Sequence, residues 1–294
     1  MNDFDGAPAA ARRSAFQPAP LPAVMAIVNR TPDSFYDRGA TDAEDAALAR
    51  IHAVIAAGAD VIDIGGVKAG PGPVVDAAEE IDRVVPTIAE ARRRHPGVTI
   101  SVDTWRASVA DAAIAAGADL VNDTWAGHDP ELVEVAGAHR VGYVCSHTGG
   151  AVPRTRPFRV HYDDVVADVI AETSALAERA VACGVPEDRV LVDPTHDFGK
   201  NTFHGLELLR RLDELVGAGW PVLMALSNKD FVGETVGRDL DGRVPATLAA
   251  TAWAAAQGVA MFRVHEVGDT VDVCRMIGAI RGDVPPLSTI RGLQ

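Results

Sequence analysis

Cysteine is nearly absent: Cys145, Cys183 and Cys274 are the three in 294 residues, and none belongs to a C-x-x-C pair. That count excludes a disulfide framework and a cysteine-ligated zinc site, and it fits a reducing, cytoplasmic setting. Positive charge is also in short supply. The 27 Lys and Arg against 41 Asp and Glu leave a net charge of -14, whose field repels polyanions and argues against nucleic acid as a partner. Long apolar runs are missing too: the longest weakly polar stretch, Thr247 to Ala256, is mostly alanine and falls far short of the roughly 20 residues of a membrane span. The first twenty residues carry no apolar core of a signal peptide, so 1–20 reads as a disordered tail and 21–294 as one folded domain. Neither a G-x-G-x-x-G nor a P-loop pattern surrounds the glycine pairs Gly65, Gly66 and Gly149, Gly150, which instead permit close backbone approach.

What is present is alternation. Eight short apolar or β-branched runs, at 24–29, 60–66, 99–104, 119–124, 140–147, 190–194, 221–227 and 260–265, are separated by segments with helical apolar spacing. Four runs follow a helix that ends near a glycine, namely Gly58, Gly117, Gly137 and Gly258, the residue expected in a left-handed C-cap. Eight such βα units in one chain of this length predict an α/β fold, a (β/α)8 TIM barrel in one domain.

In a barrel of this kind chemistry is built from residues at the C-terminal strand ends. Here those ends are polar: Asn29, Asp103, Asn122 with Asp123, His147, Asp193, Ser227 with Lys229, and Arg263 with His265. Any one alone suits a turn or helix cap. Together they make a rim whose charges need a ligand, and carboxylates with carboxamides match the donor and acceptor edge of a fused heterocycle while Arg263 and His265 match an anion.

As motifs these strand ends resemble the dihydropteroate synthase family. The match spans the chain from Met25 onward through NRTPDSFYDRG (29–39), DIGG with PG (63–66, 71–72), SVDTWR (101–106), GADLVND (117–123), DPTHDFGKN (193–201), S-x-K (227–229) and RVHEV (263–267). The resemblance implies a TIM-barrel homodimer that condenses 6-hydroxymethyl-7,8-dihydropterin pyrophosphate with p-aminobenzoate in folate synthesis. It implies that Asp103, Asn122, Asp193 and Lys229 hold the pterin. Asn29, through Mg2+, would hold the pyrophosphate together with Arg263 and His265. Loss of pyrophosphate builds charge on both fragments, so such a site works by electrostatic stabilisation without a covalent nucleophile.

The chain departs from the family pattern on one side. Where the second loop reads roughly E-S-T-R-P-G, this sequence has Val67, Lys68, Ala69, Gly70, Pro71 and Gly72; where strand 7 reads S-R-K-S, it has Ser227, Asn228, Lys229 and Asp230; where strand 5 ends in M-H-M, it has Ser146, His147 and Thr148. Loss of an arginine at Asn228 and gain of Asp230 predict poor binding of an anionic benzoate, since two unit charges about 4 Å apart interact by about 4 kcal/mol at an effective dielectric near 20. Lys68 and Arg30 offer positive charge from another direction. The expected function is therefore a dihydropteroate synthase-like protein with an impaired p-aminobenzoate side. The alternatives are an authentic synthase and another pterin-dependent transferase, against which TPDSF and RVH argue. Further candidates are His196 with Asp197 as an acid–base pair, His147 as a structural residue or pocket wall, PRTRPFR (153–159) as a solvated loop or flap, and Trp105 and Trp125 as rim packing.

Overall fold

All eight apolar runs carry a parallel strand: β1 (Ala23–Asn29), β2 (Val61–Gly65), β3 (Thr99–Asp103), β4 (Leu120–Asp123), β5 (Gly142–Ser146), β6 (Val190–Asp193), β7 (Leu223–Met224) and β8 (Met261–Val264). The computed structural model describes residues 20–31, 43–155 and 161–291. The expected tail, apart from Pro20, lies outside the described residues, as do most of the TPDSF loop and residues 156–159 of the PRTRPFR run. The sheet order is β6-β5-β4-β3-β2-β1-β8-β7, and a parallel bridge between Val192 and Val222 joins its two ends. The result is a (β/α)8 TIM barrel. Only two residues of the 221–227 run enter the ladder as a strand, so Ala225 to Ser227 continue toward the rim without strand pairing.

Helices wrap the outside: α1 (Glu44–Ala56), α2 (Ala77–Arg94), α3 (Ala107–Ala115), α4 (Leu132–His139), α5 (Val165–Ala182), α6 (Thr202–Arg210), α7 (Leu212–Gly217), α8 (Asp230–Val236), α9 (Val244–Ala256) and α10 (Val267–Arg281). Side-chain oxygens satisfy free amides where several of them begin: Asp76 accepts from Glu79 N at 2.9 Å, and Asp164 accepts from Val166 N and Ala167 N. Among the described residues no helix is long and apolar enough to cross a membrane.

Three of the four expected glycine caps adopt positive φ, Gly58 at 102°, Gly117 at 116° and Gly258 at 96°. Gly137 does not. It lies inside α4, whose left-handed cap is Arg140 (φ 54°), and a Cβ at Gly137 would stand 2.1 Å from the Cys183 carbonyl oxygen. Close packing of α4 on the end of α5, rather than chain reversal, is what demands glycine there.

Because strand side chains alternate between faces, each strand sends one set of residues into the barrel and the other toward the helices. Ala23, Met25, Val61, Leu120, Val144, Leu191, Leu223 and Met261 form a buried cluster of their own, the plug inside the barrel. The intervening residues, among them Val24, Ile62, Ile100, Val121, Tyr143, Val192 and Phe262, join the helices in the larger outer core. This phase, extended toward the strand ends, decides which polar residues share a site.

Candidate functional site

Continuing the inward phase above the plug brings together Asn29, Asp63, Ser101, Asp103, Asn122, Asp193, Ser227, Lys229, Arg263 and His265. The outward phase takes the others. Asp123 turns to the helical side, where it accepts from Trp125 N (3.1 Å), Gly127 N (2.6 Å) and Tyr143 Oη (2.7 Å). Arg30 likewise points outward and donates from Nε to the Arg83 carbonyl at 3.1 Å, so the compensating cation expected from it does not line the cavity.

A cavity of about 320 Å³ opens at the C-terminal end of the barrel. Asn29, Asp103, Ser227, Lys229, Arg263 and His265 line it on the strand side, and Lys68, Ala69, Gly70, Asn228 and Asp230 line it on the loop side. All residues of the altered second-substrate region therefore face one cavity with the retained ones.

Beneath it lies a buried charge network. Arg263 donates from Nε to Asp63 Oδ2 and from Nη2 to Asp103 Oδ2, both at 2.6 Å. Asp63 also accepts from Ser101 Oγ at 2.6 Å and from Asn122 Nδ2 at 3.1 Å. Asp103 is pushed up to about 7, chiefly because burial penalises its charge, against the lowering effect of Arg263. Asp63 was missed as a site residue. Its signal was a carboxylate at an inward position of an otherwise apolar strand, level with Ser101.

Asn122 pairs in register with Asp103 on the neighbouring strand. It is 0% exposed, and with Nδ2 committed to Asp63 its Oδ1 has no hydrogen-bond partner. Asp193 is buried on β6, accepts from Thr195 N at 2.7 Å, and is raised from the usual carboxylate range by burial, with Lys229 and Arg263 among the charges that oppose the rise. Asp103, Asp193 and Lys229 thus share one electrostatic neighbourhood centred on Arg263, to which Asn122 is joined through Asp63, while Asn122 and Asp193 lie below the residues that line the cavity.

On the loop side the charges differ from the sequence expectation. Asp230 is paired with Arg243 at 2.9 Å, which offsets part of its charge. Asn228 adopts φ 56° and donates to Glu266 Oε1 at 2.7 Å, while Ser227 donates to Glu266 Oε2 at 2.6 Å. Asp197, by contrast, lines the cavity beside Lys229, with Oδ2 at 3.8 Å from Nζ, and accepts from Asp230 N at 3.3 Å. His196 does not pair with it. The imidazole is fully buried and stacked on Phe231 at 5.0 Å, with both ring nitrogens unpartnered, and burial pulls it down to about 3. An acid–base pair at 196 and 197 is not built.

His147 also lies on the outward phase. Its Nδ1 accepts from the buried Lys200 ammonium at 2.7 Å, and its Nε2 donates to Asp168 at 2.9 Å with Glu172 at 3.3 Å. With a carboxylate facing Nε2 and Lys200 donating to Nδ1, the ring proton belongs on Nε2, which links the buried Lys200 to the surface carboxylates through the imidazole. Arg106 covers Trp105 at 4.4 Å, as rim packing requires, whereas Trp125 packs edge-on against Phe198 at 4.6 Å and lines the cavity with it. Gly66 permits the close approach expected of it, since a Cβ there would stand 2.8 Å from Val84 on α2.

Residues 25–265 match the model of the pterin binding enzyme family. The chain belongs to that family. Among its relatives, the Mycobacterium leprae (strain TN) protein described as inactive dihydropteroate synthase 2 is 64% identical over 274 residues, covering 92% of this chain and 94% of its own. The dihydropteroate synthase of Bacillus subtilis (strain 168) is 38% identical over 259 residues, covering 87% and 88%. A solved dihydropteroate synthase from Xanthomonas albilineans, bound to 4-aminobenzoic acid, superposes with a TM-score of 0.82 at 38% identity, covering 90% of this chain and 94% of that one. Membership covers the strands that build the cavity, from β1 to β8.

Proposed function

We propose that this member of the pterin-binding family keeps the pterin and pyrophosphate subsites of a dihydropteroate synthase and has lost turnover of p-aminobenzoate. The observation that carries the pterin half is Asn122 Oδ1, a buried carbonyl oxygen with no partner, in register with Asp103 on the neighbouring strand. Such an atom costs about 1–3 kcal/mol while unsatisfied. A ring N–H of a fused heterocycle satisfies it, and the carboxylates of Asp103 and Asp193 accept from the same donor-rich edge. Lys229 adds a cation beside Asp193.

For the leaving group, Asn29 and His265 line the cavity at the ends of neighbouring strands. A single carboxamide oxygen from the protein, completed by phosphate oxygens and water, is a donor set that fits Mg2+. When bound, Mg2+ would neutralise developing charge on pyrophosphate. Arg263, held by Asp63 and Asp103, orients Asp103 and presents its remaining edge to the cavity.

The loss of p-aminobenzoate turnover is supported by the replaced loop at Lys68, Ala69 and Gly70, by Asn228 in place of an arginine, and by the likeness to a relative described as inactive. The same reading includes a homodimer in the cytoplasm, with three free cysteines suited to a reducing compartment; sedimentation tests the dimer. Complementation of a strain lacking its own dihydropteroate synthase tests the whole. No growth without added folate products is expected, and growth restored by the wild-type gene overturns it.

A further inference from the structure

The loop side of the cavity is furnished for an anion that is already there. Its ring-facing wall is aromatic, with Trp125 and Phe198 packed edge-on at 4.6 Å and Lys229 Nζ standing 5.5 Å above the Phe198 ring. At this wall two donors converge, the Lys229 ammonium and the Asp230 backbone N–H. Both face one oxygen, Asp197 Oδ2, at 3.8 and 3.3 Å. The other carboxylate nearby, Asp230, is committed to Arg243, and Arg243 also donates to the Asn228 carbonyl at 2.8 Å. It is therefore a strut of the loop.

We propose that Asp197 is the specificity-determining residue of the second subsite: its carboxylate fills the anion receptor made by Lys229 and the Asp230 N–H, so the subsite rejects aromatic carboxylates and takes neutral arylamines that present a hydrogen-bond donor at that end. The proposal rests on the pterin reading above and adds to it a cause for the altered second substrate. An incoming carboxylate finds its two donors engaged and meets a like charge at contact distance in a partly desolvated site, where repulsion is screened far less than in water. A carboxamide of the same shape keeps the aromatic contacts and offers Asp197 an N–H, which an acceptor-only oxygen satisfies. Discrimination then arises from an unfavourable contact with one ligand and a favourable one with the other.

The test is calorimetric titration of the full chain with p-aminobenzoate and with p-aminobenzamide, each with and without a saturating pterin plus magnesium pyrophosphate. The wild-type protein is expected to bind the amide at least tenfold more tightly than the benzoate. Asp197→Ala, which frees Lys229 and the amide N–H, is expected to gain at least tenfold for the benzoate and to lose the preference for the amide. Asp197→Asn, which keeps the size and the contact with Asp230 N, is expected to gain benzoate affinity as well because the charge is gone; its melting curve verifies folding should the alanine variant fail. Equal benzoate affinity in wild type and both variants overturns the proposal. Absence of pterin binding by the wild type counts against the retained pterin subsite alone, because the titrations without pterin still compare the two probes.

Discussion

Replacing Arg263 by methionine removes the cation that two carboxylates share inside the barrel. Asp63 is fully buried and Asp103 mostly so, and both bonds to the guanidinium are 2.6 Å long. Breaking a buried pair from one side leaves uncompensated charge and costs about 3–5 kcal/mol. The methylenes of methionine preserve most of the packing, so the loss is electrostatic rather than a cavity effect. In a domain of this size that corresponds to a fall in Tm of roughly 10 °C. Urea denaturation followed by tryptophan fluorescence measures it, with an unchanged m-value indicating that the unfolding transition itself is the same. The triple variant Asp63→Asn, Asp103→Asn, Arg263→Met removes all three charges while leaving amide oxygens to accept from Ser101 and Asn122, and it should regain most of the loss. A single-variant cost below about 1 kcal/mol, or a triple variant no more stable than the single, refutes the network as described.

Three further outcomes follow from the same geometry. Asn122→Ala removes the unpartnered Oδ1 and should weaken pterin binding about tenfold or more in calorimetry, by the 1–3 kcal/mol of the missing contact, with a melting temperature that shows the barrel still folded. Magnesium pyrophosphate at about a hundred times its Kd should stabilise the protein by about 2.7 kcal/mol in thermal scans, and Asn29→Ala should abolish the shift. Lys200, pulled down to about 7 mainly by burial, is protonated less readily folded than unfolded; the unfolded chain binds more protons between pH 7 and 10, so stability rises with pH across that window, by at most about 1.4 kcal/mol per unit, and Lys200→Met should flatten the rise in urea midpoints.

The barrel was legible because each βα unit carries its own periodicity, and strand runs as short as LVND (120–123) still showed it through the preceding Gly-Ala-Asp. The phase of side chains within each strand was equally present in the sequence, and it alone separates the site from its surroundings. Counting in twos from Val61, Leu120 or Met261 reaches Asp63, Asn122 and Arg263, whereas Asp123 and His147 fall on the other face. What the sequence did not disclose is who pairs with whom across the barrel. Asp230 reads as an added negative charge until Arg243, thirteen residues on and beyond a helix, is seen to hold it. His196 and Asp197 read as a pair because they are adjacent, but consecutive residues in this loop face Phe231 and Lys229 respectively. Such pairings are long-range facts that local patterns do not encode.

The central claim, that the pterin half of the cavity persists without the family reaction, is tested most directly by one titration. 6-Hydroxymethyl-7,8-dihydropterin pyrophosphate with Mg2+ is added to the wild-type protein in a calorimeter, followed by p-aminobenzoate, with the cell contents then assayed for dihydropteroate. The account predicts a saturating pterin isotherm and no dihydropteroate above the level without protein. Sustained formation of dihydropteroate, or no heat of pterin binding at all, would contradict it.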